Sequence, residues 1–304
     1  MMTDDRTRLT LSAGFTLIEL SIVLVIIGLI VGGILVGQDM IAAARIRGTI
    51  SQVDKFNAAV NTFRSKYGYL PGDIIPTAAS AFGFLTRAGS AGHGDGNGLI
   101  QSEALNNNGL VWEGPSGEIL LFWADLSAAN LIEGNYKGQD CGGSGTCNSA
   151  GIGNTGNFLT YYSVGDILPP AKIGRANYFH VYSEYGINYY ELLGGSNMNI
   201  QTDGNFYNNA SGSYYGSNFR AMTPLEAFSI DSKIDNGYPT TGTVISRQGT
   251  FYYGHGTDDE NYPGPAGAAA AANCGNTDTT PTSYNTGAAY ANLVVCAIHI
   301  KTSF

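Results

Sequence analysis

The sequence predicts an α+β chain, with a long amino-terminal helix followed by an enlarged globular head built on an antiparallel sheet. Three features point to it. Residues Phe15–Gly37 form an apolar run interrupted by one charge, Glu19. Ile46, Ile50, Val53, Val60, Phe63 and Tyr67 recur at mostly three- and four-residue steps, the spacing of one buried helix face. Beyond Gly68, two shorter helical patterns and several strand-like stretches are separated by loops rich in glycine, asparagine and serine.

The apolar run comes first. At about 1.5 Å per residue it reaches roughly 34 Å, enough to cross a hydrocarbon core of about 30 Å. A carboxylate inside such a span costs roughly 2.5–3.5 kcal/mol even on the lenient insertion scale, so Glu19 is a functional residue by expectation. Its natural complement is a positive charge supplied by another copy of the chain. Gly28, Gly32, Gly33 and Gly37 suit close approach of helices. Residues 1–14 are short and polar, with Arg6 and Arg8 fitting a cytoplasmic leader. A secretory signal is cut after its apolar region. Here the good cleavage point, Gly14, lies before it, so processing keeps the apolar segment and frees an amine at Phe15. Such an amine titrates near pH 7.7–8.0, roughly, and is largely cationic at neutrality. An uncleaved signal anchor with an incidental glutamate is the competing reading.

Gly14-Phe15-Thr16-Leu17-Ile18-Glu19 resembles the processing motif of type IV prepilins and pseudopilins. The resemblance implies a prepilin peptidase that cuts after Gly14 and methylates the new terminus at Phe15. It implies a leader over residues 1–14, a transmembrane and filament-core helix over 15–37, an amphipathic extension over 38–67 and a head over 68–304. One continuous helical spine also follows from the resemblance; the periodicity alone supports only its amphipathic second half. The partners implied are prepilin peptidase, other pilin subunits, and an inner-membrane assembly platform with its motor ATPase. Many pilins carry a proline late in the apolar run, and this chain has none there.

Gly68 and Pro71 end the helix. Gly92–Gly98 follows as a glycine-rich loop, and Pro115-Ser116-Gly117-Glu118 opens a second amphipathic helix with Ile119, Phe122, Trp123, Leu126, Leu131 and Ile132 inward, stopping near Gly134. The order Tyr67-Gly68-Tyr69-Leu70-Pro71-Gly72-Asp73, Gly94-Asp95-Gly96-Asn97-Gly98 and a tryptophan-bearing helix is similar to that of a subgroup of large pilin-like proteins. Phe158–Val164 and Tyr178–Leu193 read as strands. Thr223-Pro224-Leu225-Glu226 starts a helix that runs to about Ile234, with a capping threonine, proline at the first helical position and glutamate three after the cap. Thr243–Arg247 and Ala291–Lys301 read as further strands, with Pro263–Ala272 a low-complexity linker between them.

A net charge of −9, with only 15 Lys and Arg, argues against a nucleic-acid grip, which needs a basic stripe. The 42 glycines and 19 tyrosines mark a loop-rich, β-leaning extracytoplasmic domain. The four cysteines, an even number in an exported chain, read as disulfides. Of three pairings, Cys141–Cys147 and Cys274–Cys296 are favoured; a zinc site lacks a C-x-x-C pair and a nearby paired histidine. Asp95, Asn97 and Glu103 offer oxygens to calcium but meet only part of the EF-hand pattern, and a tight asparagine–glycine turn accounts for the same loop. Asp258-Asp259-Glu260 reads as a solvated loop. His93, His180, His255 and His299 are scattered, and G-x-S-x-G, P-loop and zinc-protease motifs are absent, so no enzyme is expected. Tyr178–Tyr185 reads as half-buried strand tyrosines before a carbohydrate face. The expected function is a structural subunit of a type IV pilus-type filament, a minor or tip pilin for its large head. The alternatives are a type II secretion pseudopilin and an adhesive or binding domain tethered by a pilin-like helix.

Overall fold

The computed structural model describes residues 16–89, 92–101, 117–138, 164–184, 186–194, 198–200, 206–208, 221–248, 274–276, 283–287, 293–294 and 296–304. The architecture is α+β, with a long, apolar amino-terminal helix and a small antiparallel sheet. The chain divides into two compact units, Met1–Ala44 and Arg45–Phe304. Helix α1, Leu17–Tyr67, contributes to both.

In the first unit α1 buries nothing. Its leucines, isoleucines and valines from Leu17 to Ile41 are exposed, and a Cβ placed on Gly28, Gly32, Gly33 or Gly37 would meet no atom within 4 Å. In the second unit α1 is amphipathic. Ile46, Thr49, Val53, Phe56, Ala59, Val60 and Phe63 are buried, following the predicted spacing, while Ile50 and Tyr67 are half-buried. The helix ends where Gly68 takes a left-handed φ of 80°, a conformation that costs glycine little.

Four strands form the main sheet in the order β1 (Asn177–Glu184), β2 (Ile187–Gly194), β8 (Cys296–Lys301), β5 (Val244–Gln248), all antiparallel. The apolar stretch Tyr178–Leu193 is therefore a hairpin, turning beside Gly186. Phe179 and Tyr190 meet the Phe56 ring of α1 at 5.1 and 6.1 Å. Phe56 also packs edge-on against Trp123 at 4.8 Å, which places α3, Glu118–Ala128, in the same core. Helix α3 is buried from Glu118 to Leu126. It stops at Ala128, before the predicted Gly134, because Asn130 takes a left-handed φ of 56°, which asparagine tolerates. Leu131 and Ile132 still pack on the core from beyond the helix end.

The remaining elements are short. Helices α2 (Pro76–Phe82) and α4 (Val164–Ile167) and two-stranded ribbons β3 (Met198–Ile200) with β4 (Phe206–Asn208) and β6 (Gly275–Asn276) with β7 (Ser283–Tyr284) complete the described chain. Val164 opens α4, whereas the sequence puts it at the end of a strand; the rest of that predicted strand lies outside the described residues. Helix α5, Pro224–Ile234, starts with the predicted capping box. Cys274 and Cys296 form a disulfide, with a sequence separation of 22. Closing a loop of this length is worth about 3 kcal/mol in the chain-entropy account.

Candidate functional site

Glu19 occupies the third position of α1, and Thr16 precedes the helix. The backbone N–H and the hydroxyl of Thr16 both donate to Glu19 Oε2, each at 2.8 Å, and the Glu19 N–H donates back to Thr16 Oγ1 at 3.3 Å. That is a capping box, which satisfies donors at a helix start that have no intrahelical partner. Arg45 opens the second unit, so the described residues between Leu17 and Ala44 hold two charges, Glu19 and Asp39. The helix is long and apolar enough to cross a membrane. Gly14 and Phe15 lie outside the described residues.

A second constellation lies under the glycine-rich loop. Carboxylate oxygens of Asp73, Asp95 and Glu118 all fall within 4.8 Å of one another, and Asp73 and Glu118 are buried. Asp73 accepts from the N–H groups of Gly96 and Gly98, both at 2.6 Å; Glu118 accepts from Gly94 at 2.8 Å and Gln101 at 2.9 Å. The loop is thus folded onto two acids by three of its own amides and by that of Gln101 just beyond it. Such an approach needs glycine at 94, where a Cβ would collide with the Ile74 carbonyl. Burial pushes Asp73 up to about 6, with nearby Asp95 adding to the rise and the Gly98 and Gly96 amides opposing it. Burial, then repulsion from Asp73, holds Glu118 well above the usual carboxylate range. Three hard oxygen donors this close can share a proton or hold a cation such as calcium.

Of the residues named for calcium from the sequence, Asp95 joins this cluster. Asn97 instead completes the turn: its side-chain amide donates to Asp95 Oδ2 at 3.0 Å and Gln101 Oε1 at 2.9 Å, and its Oδ1 accepts from Leu99 at 2.7 Å. Glu103 lies outside the described residues, as do Cys141, Cys147, His255 and Asp258–Glu260. Asp73 and Glu118 were not singled out from the sequence. Asp73 closes the Leu-Pro-Gly-Asp turn and Glu118 reads locally as a helix-start acid, so only the folded loop reveals them as neighbours.

Across the sheet, His180, Glu191 and His299 sit directly opposite one another on β1, β2 and β8. All three are buried, with His180 Nδ1 at 3.3 Å and His299 Nε2 at 3.8 Å from separate oxygens of Glu191. The Tyr182 hydroxyl lies 2.7 Å from His299 Nδ1. These residues share the sheet face opposite Phe179 and Tyr190, as strand alternation requires. Histidines scattered in the chain are therefore gathered around one acid by strand register. Tyr182 is fully buried rather than available to a carbohydrate. A further buried pair, Arg87 with Asp125 at 2.6 Å, ties the turn at Gly72 to α3, since Gly72 N–H also donates to Asp125 at 2.7 Å.

No family model, no curated protein and no solved structure matches this chain.

Proposed function

We propose that the chain is a structural subunit of a type IV pilus-type filament, held in the inner membrane by its amino-terminal helix until leader removal and assembly. The observation that carries this reading is the stretch from Leu17 to Ala44. It is helical, its large apolar side chains are exposed all round, and it keeps one acid, Glu19, near its start. A helix apolar on every side needs an apolar surrounding, and lipid and sister helices both provide one. The same segment then serves as anchor before assembly and as filament core afterwards. The open flanks of Gly28, Gly32, Gly33 and Gly37 suit close backbone contact there.

Glu19 sets the axial register in this reading: its carboxylate meets the cationic amino terminus that prepilin peptidase frees and methylates at Phe15 of a neighbouring subunit. The rest of the chain folds as a globular head carried outside the membrane, first in the periplasm and then on the filament surface. Its size favours a minor or tip pilin. The resemblance at Gly14–Glu19 supports both the processing and the partners.

Mass spectrometry of sheared surface filaments tests the proposal. The expected result is this chain, beginning at a methylated Phe15. A native chain that keeps Met1–Gly14 and stays out of filaments overturns it.

A further inference from the structure

Where asparagine or aspartate precedes glycine, the backbone can attack the side chain, because glycine has no Cβ to hinder its nitrogen. The described residues hold three such pairs, Asp95-Gly96, Asn97-Gly98 and Asn236-Gly237; Asn108-Gly109 and Asp203-Gly204 lie outside them. All three are held by the same two bonds. First, the glycine N–H donates to a buried carboxylate: Gly96 to Asp73 Oδ1 and Gly98 to Asp73 Oδ2, both at 2.6 Å, and Gly237 to Asp231 Oδ1 at 3.0 Å. Second, the side-chain Oδ1 of the residue before the glycine accepts the N–H two positions on. Asp95 accepts from Asn97 at 3.1 Å, Asn97 from Leu99 at 2.7 Å, and Asn236 from Tyr238 at 2.8 Å. The Asn236 amide is tied at its other end as well, donating to the carbonyl and hydroxyl of Thr241 at 3.3 and 3.1 Å.

We infer that Asp95, Asn97 and Asn236 are latent sites of succinimide formation, kept closed by the carboxylates of Asp73 and Asp231. At asparagine, the glycine amide gives up its proton and its nitrogen bonds to Cγ. The Cγ–Nδ2 bond breaks, and the departing nitrogen takes a proton from water to leave as ammonia. Water then opens the ring at either carbonyl, leaving aspartate or isoaspartate, the latter with one more methylene in the backbone. At Asp95, with its carboxyl protonated, the same closure expels water and the reopening leaves the mass unchanged. The electron pair that attacks lies along the former N–H direction. In these turns that direction points at Asp73 or Asp231 instead of Cγ, and misaligned reacting atoms lose much of their rate. The carboxylate also opposes loss of the amide proton, which would set two negative charges side by side. An acid formed at residue 97 would face Asp95, to which the Asn97 amide now donates, so the closed state preserves the loop itself.

The test incubates the full-length chain in detergent at mildly alkaline pH and follows residues 95, 97 and 236 by peptide mass mapping, with isoaspartate separated chromatographically. The same chain unfolded in urea sets the unprotected rate at each site. Folded wild type is expected to react at Asn97 and Asn236 at least roughly tenfold more slowly, the scale of one hydrogen bond to a charged acceptor. Asp73→Asn leaves one acceptor oxygen for two glycine donors. It is expected to raise reaction at Asp95 or Asn97 and to leave Asn236 at its wild-type rate. Asp231→Asn, where the Tyr284 hydroxyl competes for the remaining oxygen, is expected to do the reverse. Equal rates in folded and unfolded wild type overturn the inference, as do unchanged rates in both variants. A variant that raises both regions together also overturns it, since folding as a whole is then the protection. So does a variant slower than wild type, because the acid then acts as the base that promotes attack. Amide exchange of the folded wild-type chain gives a reading free of any variant. Gly96, Gly98 and Gly237 are expected to be protected, and exchange there at the rate of the unfolded chain overturns the role of the two acids.

Discussion

One helix, α1, passes through two different surroundings, and its composition changes where they do. From Leu17 to Ala44 the apolar side chains point in every direction and none is buried; from Arg45 to Tyr67 they line one face and nearly all of that face is buried by the chain's own sheet and α3. Burying a phenylalanine, leucine or isoleucine is worth about 1.5–3 kcal/mol. The second half realises that gain within its own chain. The first half leaves it for something else to realise. An all-round apolar helix is thus a statement about a missing surrounding, whereas a one-sided helix specifies its own.

Truncation on either side of Ala44 is the strongest way to break this comparison. Phe56→Ala removes a ring in contact with Trp123, Phe179 and Tyr190, and is expected to destabilise the second unit by about 3–5 kcal/mol. Ile26→Ala is expected to leave that unit's stability unchanged. Denaturant unfolding followed by tryptophan fluorescence reads both. Equal losses would mean that the two halves of α1 are not energetically distinct.

The sequence made this contrast legible because both halves are local patterns. The α5 start was equally legible, since Thr223, Pro224 and Glu226 are adjacent and their roles are set by spacing. What escaped was set by register or by loop folding. His180 meets Glu191 only once the hairpin turn is placed beside Gly186, and His299 joins only once β8 is known to pair with β2. Asp73 and Glu118 approach Asp95 because a loop closes over them, a contact without periodicity. The Thr16–Glu19 box is a different case. Its T-x-x-E signature matches the one at Thr223, but it opens an apolar run, where a lone charge points to a partner as readily as to a helix cap.

Reducing the disulfide comes next in size. Replacing Cys274 and Cys296 together by serine should cost about 3 kcal/mol, with the loss confined to the second unit. Amide exchange in α5 and β8 should accelerate, because Met222 and Cys296 bridge there. Unchanged stability would show that the 275–295 segment is fastened by other contacts.

The buried acids give a smaller effect with a defined sign. Asp73 lies beneath its own loop and couples folding to pH within the second unit. Its folded value of about 6 lies above the ordinary 3.8. The stability it adds is therefore complete below the ordinary value and is lost as pH rises through 6. Glu118, Asp125 and Asp231 are raised as well and act in the same direction, whereas His93, lowered by burial, acts in the opposite one. The second unit should lose on the order of 1–3 kcal/mol between pH 4.5 and 7 through Asp73, and Asp73→Asn should flatten that slope. Repeating the measurement in millimolar calcium reads cation binding directly, because a cation held by Asp73, Asp95 and Glu118 removes the proton linkage. A wild-type slope of the opposite sign would refute the assignment.

The smallest effect sharpens the comparison most, because it sets one capping box against the other. Thr223→Ala should cost about 1 kcal/mol, and Thr223→Ser almost nothing. Amide exchange should rise at Glu226 and Ala227 and little elsewhere. The loss stays modest for two reasons: water can reach the freed first-turn amides at this half-buried end, and Arg175 still holds the Glu226 carboxylate in place. Thr16 lacks the second support, since no cation among the described residues reaches Glu19, so the same lost hydroxyl should matter more at α1 than at α5. If Thr223→Ala costs well over 2 kcal/mol, the α5 box is holding more than its helix end; the Met222 bridge to Cys296, one residue upstream, is the contact to examine.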